Sequence, residues 1–147
     1  MGATHATAAR PVTREEFRAR RAEGGADEDS VEFVIEAAGR AVGRCGLFGS
    51  DDLARHAEVG ISLVAQSRGQ GIGTAALSQL VAFGFERWNL HQLHLVVPAS
   101  NEPALASYRK VGFVEEGRRR EHAWVLGQGD DEVLMGLLRA DWHATRL

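Results

Sequence analysis

One cysteine, one lysine, one tyrosine and three prolines occur in 147 residues, and each scarcity removes a class of explanation. A lone Cys45 cannot close an internal disulfide, so the fold must rest on its core, and a reducing, cytoplasmic setting is expected. No apolar run approaches the roughly 20 residues that cross a bilayer, and the first residues lack the apolar stretch of a signal peptide. No membrane partner is expected. Met1-Gly2 would open a myristoylation signal only with Ser or Thr at the sixth position, which is Ala6. Excess positive charge is missing too: a net charge of −3 and a pI near 6.1 leave no broad basic face for phosphates, so no nucleic-acid partner is expected. Sixteen arginines beside Lys110 read as a compositional bias and not as a site.

What is present suits a globular domain. Hydrophobic residues at 44% and charged residues at 25% support one continuous core, and the length is too short for two ordinary domains. The expected organisation is a flexible arm over residues 1–12, a single domain over 13–141 and a tail over 142–147.

Periodicity places the elements. Thr13, followed by Glu15 and Glu16, predicts a short helix through Phe17 toward Arg21, stopped by Gly24-Gly25. Val31 to Ala37 and Ala41 to Phe48 read as a hairpin across Gly39-Arg40, and His56 to Val64 alternates as a third strand with Val59, Ile61 and Leu63 on one face. From Gly73, the spacing of Leu77, Leu80, Val81, Phe85 and Trp88 is that of an amphipathic helix. Gln92 to Val97 is a short apolar run that suits a buried strand. A helix follows from Ser100-Asn101 to Gly112, with Pro103 in its first turn, and Phe113 to Leu126 and Glu132 to Leu138 predict a final strand pair. This order predicts an α/β (α+β) fold, a mixed sheet with flanking helices.

The run Ser67-Arg68-Gly69-Gln70-Gly71-Ile72-Gly73-Thr74 leaves a predicted strand and opens a predicted helix. Glycines let the main chain approach a ligand, and a helix N-terminus offers free N–H groups and partial positive charge, so this turn suits an anion. Arg68 adds a cation. The turn lacks the Gly-Lys-Ser/Thr ending of a P-loop and the Gly-x-Gly-x-x-Gly dinucleotide fingerprint, which disfavours ATP and NAD. A purely structural tight turn remains the alternative on these letters alone.

With Arg68-x-x-Gly71-x-Gly73 after a strand and Asn101-Glu102-Pro103-Ala104-Leu105-Ala106-Ser107-Tyr108-Arg109-Lys110-Val111-Gly112-Phe113 further on, the chain resembles the GNAT N-acetyltransferase superfamily. It is most similar to the branch that acetylates ribosomal-protein N-termini and various small amines. The match spans roughly Glu32 to Leu138. The resemblance implies a mostly antiparallel twisted sheet and acetyl-CoA as cosubstrate. It implies that the pantetheine arm pairs with Ile61, Ser62 and Leu63, and that the pyrophosphate sits on Gly69, Gln70, Gly71, Ile72, Gly73 and Thr74 beside Arg68. It places Asn101 near the pantetheine or phosphate side and Tyr108 near the thioester sulfur.

The chemistry explains such groups. An amine with a pKa near 10 is mostly protonated at neutral pH and must lose that proton before it attacks the thioester carbonyl. Glu58, at the start of the strand beside the slot, is the candidate base, directly or through water; a solvated charge at a strand end is its alternative. Some relatives carry a carboxylate where this chain has Val96. A backbone N–H near Leu63 suits the oxyanion, and Tyr108 the departing thiolate, although spacing alone also fits a core aromatic at Tyr108.

Other groups are weighed and set aside. His91 and His94, three apart on a strand, fall on opposite faces and predict no metal site. His56 and His122 flank the acceptor side or lie on the surface, Cys45 is read as a buried inert thiol, and Arg118-Arg119-Arg120 as a solvated run or an anion contact. Relatives place another strand and a helix before the point where this sequence starts, so the N-terminal part is expected to be shortened, with an open acceptor side or a homodimer that completes it. Three readings result, in this order: an N-acetyltransferase acting on a primary amine (a protein N-terminus, a polyamine or a small-molecule amine), a non-catalytic coenzyme A-binding module or sensor, or a domain that binds some other phosphate ligand at the same turn.

Overall fold

A computed structural model describes residues 17–21 and 29–145. Seven strands form one sheet: β1 (Phe17–Arg21), β2 (Val31–Ala37), β3 (Arg40–Phe48), β4 (His56–Leu63), β5 (Gln92–Pro98), β6 (Val114–Val125) and β7 (Gln128–Leu138). Among the described residues three helices accompany it: α1 (Ile72–Glu86), α2 (Glu102–Val111) and α3 (Arg139–Thr145). The strand order is β1-β2-β3-β4-β5-β7-β6, and every neighbour is antiparallel except β4 with β5. That one parallel pair follows from α1, which carries the chain back across the sheet between β4 and β5. The mixed, mostly antiparallel α/β architecture expected from the sequence is the architecture found.

The alternation read from the sequence sorts the strands into two faces. Ala57 and Val59 of β4, Leu93, Leu95 and Val97 of β5, and Val133, Met135 and Leu137 of β7 are all buried. They meet a stripe on α1 formed by Ile72, Leu77, Leu80, Val81 and Phe85, the helical spacing of three and four seen in the sequence. Burying each such side chain contributes about 1.5–3 kcal/mol. Gly43 lets β3 lie close to β4: a Cβ there would press on the Ser62 carbonyl and on Leu63, so the glycine helps set where the end of β4 runs.

Two expectations require correction. Phe17–Arg21 is the edge strand β1, paired antiparallel from Phe17↔Ala37 to Arg21↔Phe33, and not the end of a helix. Phe17-Arg18-Ala19-Arg20 alternates apolar and basic, and the pairing edge of β2 outweighs a weak local helix preference. The helix start at residues 13–16 and the arm at 1–12 lie outside the described residues. At the other end, the expected tail from residue 142 is helical as far as Thr145, because Trp142 is buried, its ring centroid 5.2 Å from that of Phe85.

Candidate active site

The site begins where the parallel ladder stops. β4 and β5 pair only at His56↔Gln92, Ala57↔Leu93 and Glu58↔His94; from Val59 onward the strands part. After β4, a short 3-10 turn (Ala65–Ser67) and the glycine run lead into α1. Gly71 is its N-cap with φ +81°, a left-handed conformation that costs other residues about 1 kcal/mol or more. No side chain caps this helix and no acidic residue lies in its first turn. The N–H groups and partial positive charge of α1 are thus offered to an anion.

Between the end of β4, the glycine turn, α1 and α2 lies a cleft of about 710 Å³. Ile61, Ser62, Leu63, Arg68, Gly69, Gly71, Gly73, Thr74, Asn101 and Tyr108, all singled out in the sequence, line it together. Gln70 and Ile72 do not. Gln70 turns back to donate from Nε2 to the Gln66 carbonyl at 2.8 Å, and Ile72 buries its side chain in the core. Arg68 donates from Nε to the Leu63 carbonyl at 3.2 Å, which ties the turn to the end of β4. The Asn101 side chain accepts from the Ala104 N–H and caps α2.

Leu77, Pro103, Ala104 and Ser107 also line the cleft and were missed in the sequence. Ser107 joins Thr74 through a hydroxyl pair at 2.8 Å, linking α1 to α2 across the cleft wall. Its place beside Tyr108 was the available signal. Tyr108 is half-buried against Phe113, with ring centroids 6.1 Å apart. Burial raises its phenol pKa, so it keeps its proton at neutral pH and can serve as a donor.

Glu58 does not line the cleft. It occupies the last paired position of β4, exposed on the other face of the sheet, directly beside His94. His56 packs edge-on against His94 with centroids 5.4 Å apart. Gly136 is the β7 partner of His94, and the Glu116 carboxylate lies over that glycine. Gln92 Nε2 donates to Glu116 Oε1 at 3.5 Å. Burial, and then the charge of His56, lower the His94 pKa, while Glu58 and Glu116 pull it the other way. His94 thus partners His56, and His91 stands apart before β5, its N–H donating to the Arg55 carbonyl at 2.6 Å.

The remaining candidates fall elsewhere. Arg118 pairs with Glu115 at 3.1 Å and Asp131 at 3.5 Å, and Arg119 with Glu132 at 2.9 Å, all along the β6–β7 hairpin. His122 is exposed on β6. Cys45 is buried, and desolvation pushes its thiol up to about 12, the inert thiol expected. Among the described residues no group of three or more His, Cys, Asp or Glu side chains is placed to hold a metal ion, and no helix is long and apolar enough to cross a membrane.

Residues 3–114 match the family model of the acetyltransferase (GNAT) domain. The chain belongs to the GNAT family. It is 31% identical to the putative ribosomal N-acetyltransferase YdaF of Bacillus subtilis, over 82% of this chain and 66% of that protein. It is 30% identical to the spermidine N(1)-acetyltransferase of Escherichia coli K12, over 80% of this chain and 63% of that protein. It superposes on mutant forms of the spermidine/spermine N-acetyltransferase SpeG of Vibrio cholerae with a TM-score of 0.77 at 27% identity, covering 82% of this chain and 71% of that one. This GNAT chain thus spans about two thirds of the length of the curated relatives it matches.

Proposed function

We propose that the chain transfers an acetyl group from acetyl-CoA to a primary amine by direct attack. The observation that carries this reading is the meeting, in one cleft, of three features: the end of β4 beyond its pairing with β5, the glycine turn before α1, and Tyr108. The donor set fits the cosubstrate. The edge of β4 at Ile61 to Leu63, released from β5, suits the amides of a pantetheine arm, and the uncapped N-terminus of α1 with Gly69, Gly71, Gly73, Thr74 and Arg68 suits a pyrophosphate. Gln70 and Ile72 contribute their main chain to this turn, and Asn101 lines the pantetheine side.

Bound acetyl-CoA supplies the activated acetyl group; the protein supplies position and protons. Tyr108 holds a proton where the thiolate departs, and a main-chain N–H near Leu63 faces the developing oxyanion. The amine reaches the cleft from the side of Glu58, and its proton leaves on that side, to Glu58 directly or through water. The class of acceptor supported by the relatives is a primary amine, either a polyamine or a protein N-terminus. A cytoplasmic setting fits the buried free thiol of Cys45. A homodimer fits the sheet face that carries Val96 and Leu138, each 39% exposed, and the edge strand β6 with Val114 at 60%.

Isothermal titration with acetyl-CoA, coupled to thiol release on adding spermidine or an N-terminal peptide amine, tests this reading. Saturable binding with amine-dependent thiol release is expected. Binding without release from any amine would favour a coenzyme A-binding module, and no binding would remove the acetyl-CoA assignment.

A further inference from the structure

Beyond Glu58↔His94 the hydrogen-bonded ladder between β4 and β5 ends. On one face of the sheet lies the cleft with Tyr108; on the other, at the last paired step, stand Glu58 of β4 and His94 of β5 side by side. Every element around His94 contributes to its setting. β4 supplies His56, edge-on at 5.4 Å, and Glu58. On β5 itself, Gln92 and Val96 flank it on the same face. β7 places side-chain-free Gly136 directly beside it, and β6 sends the Glu116 carboxylate over that glycine, held by Gln92. The result is a row across four strands, carboxylate, imidazole, carboxylate, with the imidazole in the middle at the last paired step of β5.

We propose that His94 accepts the proton of the incoming ammonium, and that Glu58 and Glu116 are positioning residues that attract the cation and orient the imidazole. The inference rests on the acetyl-transfer reading above and refines it, since it moves the base from Glu58 to its cross-strand neighbour. An imidazole whose pKa is held down by burial is neutral at pH 7 and has a free nitrogen to receive a proton, which an exposed carboxylate with a far lower ordinary pKa does poorly. The steps balance. The ammonium gives one proton to His94, and the freed nitrogen lone pair forms the C–N bond to the thioester carbonyl carbon. The C–S bond breaks as Tyr108 protonates the sulfur. The tyrosinate recovers a proton from the new amide nitrogen, and the His94 imidazolium returns its proton to solvent. The products are the acetamide, free thiol and one proton.

The experiment compares wild type, His94→Gln and Glu116→Gln in acetyl-CoA titrations and in pH profiles of thiol release with spermidine. Wild type is expected to level off above neutrality, with an acid limb below the ordinary histidine value of about 6.5. His94→Gln should bind acetyl-CoA within about twofold of wild type. Its turnover should fall about 100-fold at pH 7, and the residual rate should climb about tenfold per pH unit as the free amine fraction grows. Glu116→Gln removes a charge that stabilises the imidazolium, so its acid limb should move to lower pH. If His94→Gln fails to fold, this limb shift alone decides. A His94→Gln enzyme with the wild-type rate and profile overturns the assignment and leaves the transferase reading intact. An unmoved limb in Glu116→Gln also counts against it. Wild-type protein that binds no acetyl-CoA, or releases no thiol with any amine, removes both readings together.

Discussion

Tyr108 shows how one side chain acquires chemistry from its surroundings. A phenol in water is a poor acid at neutral pH, and burial against Phe113 raises its pKa further, so the proton stays on oxygen until a stronger base forms beside it. A departing thiolate in the cleft is such a base. Replacing Tyr108 with Phe keeps the packing and deletes the proton. Acetyl-CoA affinity by titration is expected to change by less than about threefold, while kcat for amine-dependent thiol release falls about 100-fold. Equal losses in binding and turnover would instead mark Tyr108 as part of the cleft wall. Cys45, also buried and pushed up to about 12, has no such opportunity: it sits in the core on β3 and is not among the residues that line the cleft. Residue type alone would not have separated these two buried, proton-bearing groups.

At the scale of elements, two segments were misread for the same reason. Phe17–Arg21 and Arg139–Thr145 are short, and short segments take their conformation from what they dock against. The first completes the edge of β2; the second brings Trp142 onto Phe85 of α1. A helix of this length depends on such tertiary contacts, among them Trp142 on Phe85 and the Arg139 N–H donating to the His91 carbonyl at 2.9 Å. Trp142→Ala is therefore expected to cost about 3–5 kcal/mol of unfolding free energy in a denaturant titration, as for other buried aromatics. A loss below about 1 kcal/mol would show that α3 frays without consequence. Long periodic elements were legible: α1 and α2 and strands β2 to β7 fall within a few residues of their expected positions, because their apolar spacing is sustained over several turns or alternations.

For the whole molecule, the GNAT sheet presents helix α1 on one face and leaves Val96 and Leu138 of the other partly exposed. A second copy that covers this face would also enclose the row around His94. Light scattering at micromolar concentration is expected to give twice the chain mass of 15.9 kDa; a value equal to one chain would mean that the acceptor face works uncovered. The glycine turn was recognisable from its own letters and its place between a strand and a helix, whereas Asn101 and Tyr108 were picked out by the resemblance to the GNAT family, since spacing alone also fits a core aromatic at Tyr108. The mixed sheet and the helix that follows the turn were recognisable too. The parting of β4 from β5, the Thr74–Ser107 link and the pairing of Glu58 with His94 were decided only by the tertiary structure. These contacts join residues more than thirty positions apart through a parallel crossover, and the register of such a pair depends on how α1 seats on the whole sheet, which no local spacing encodes.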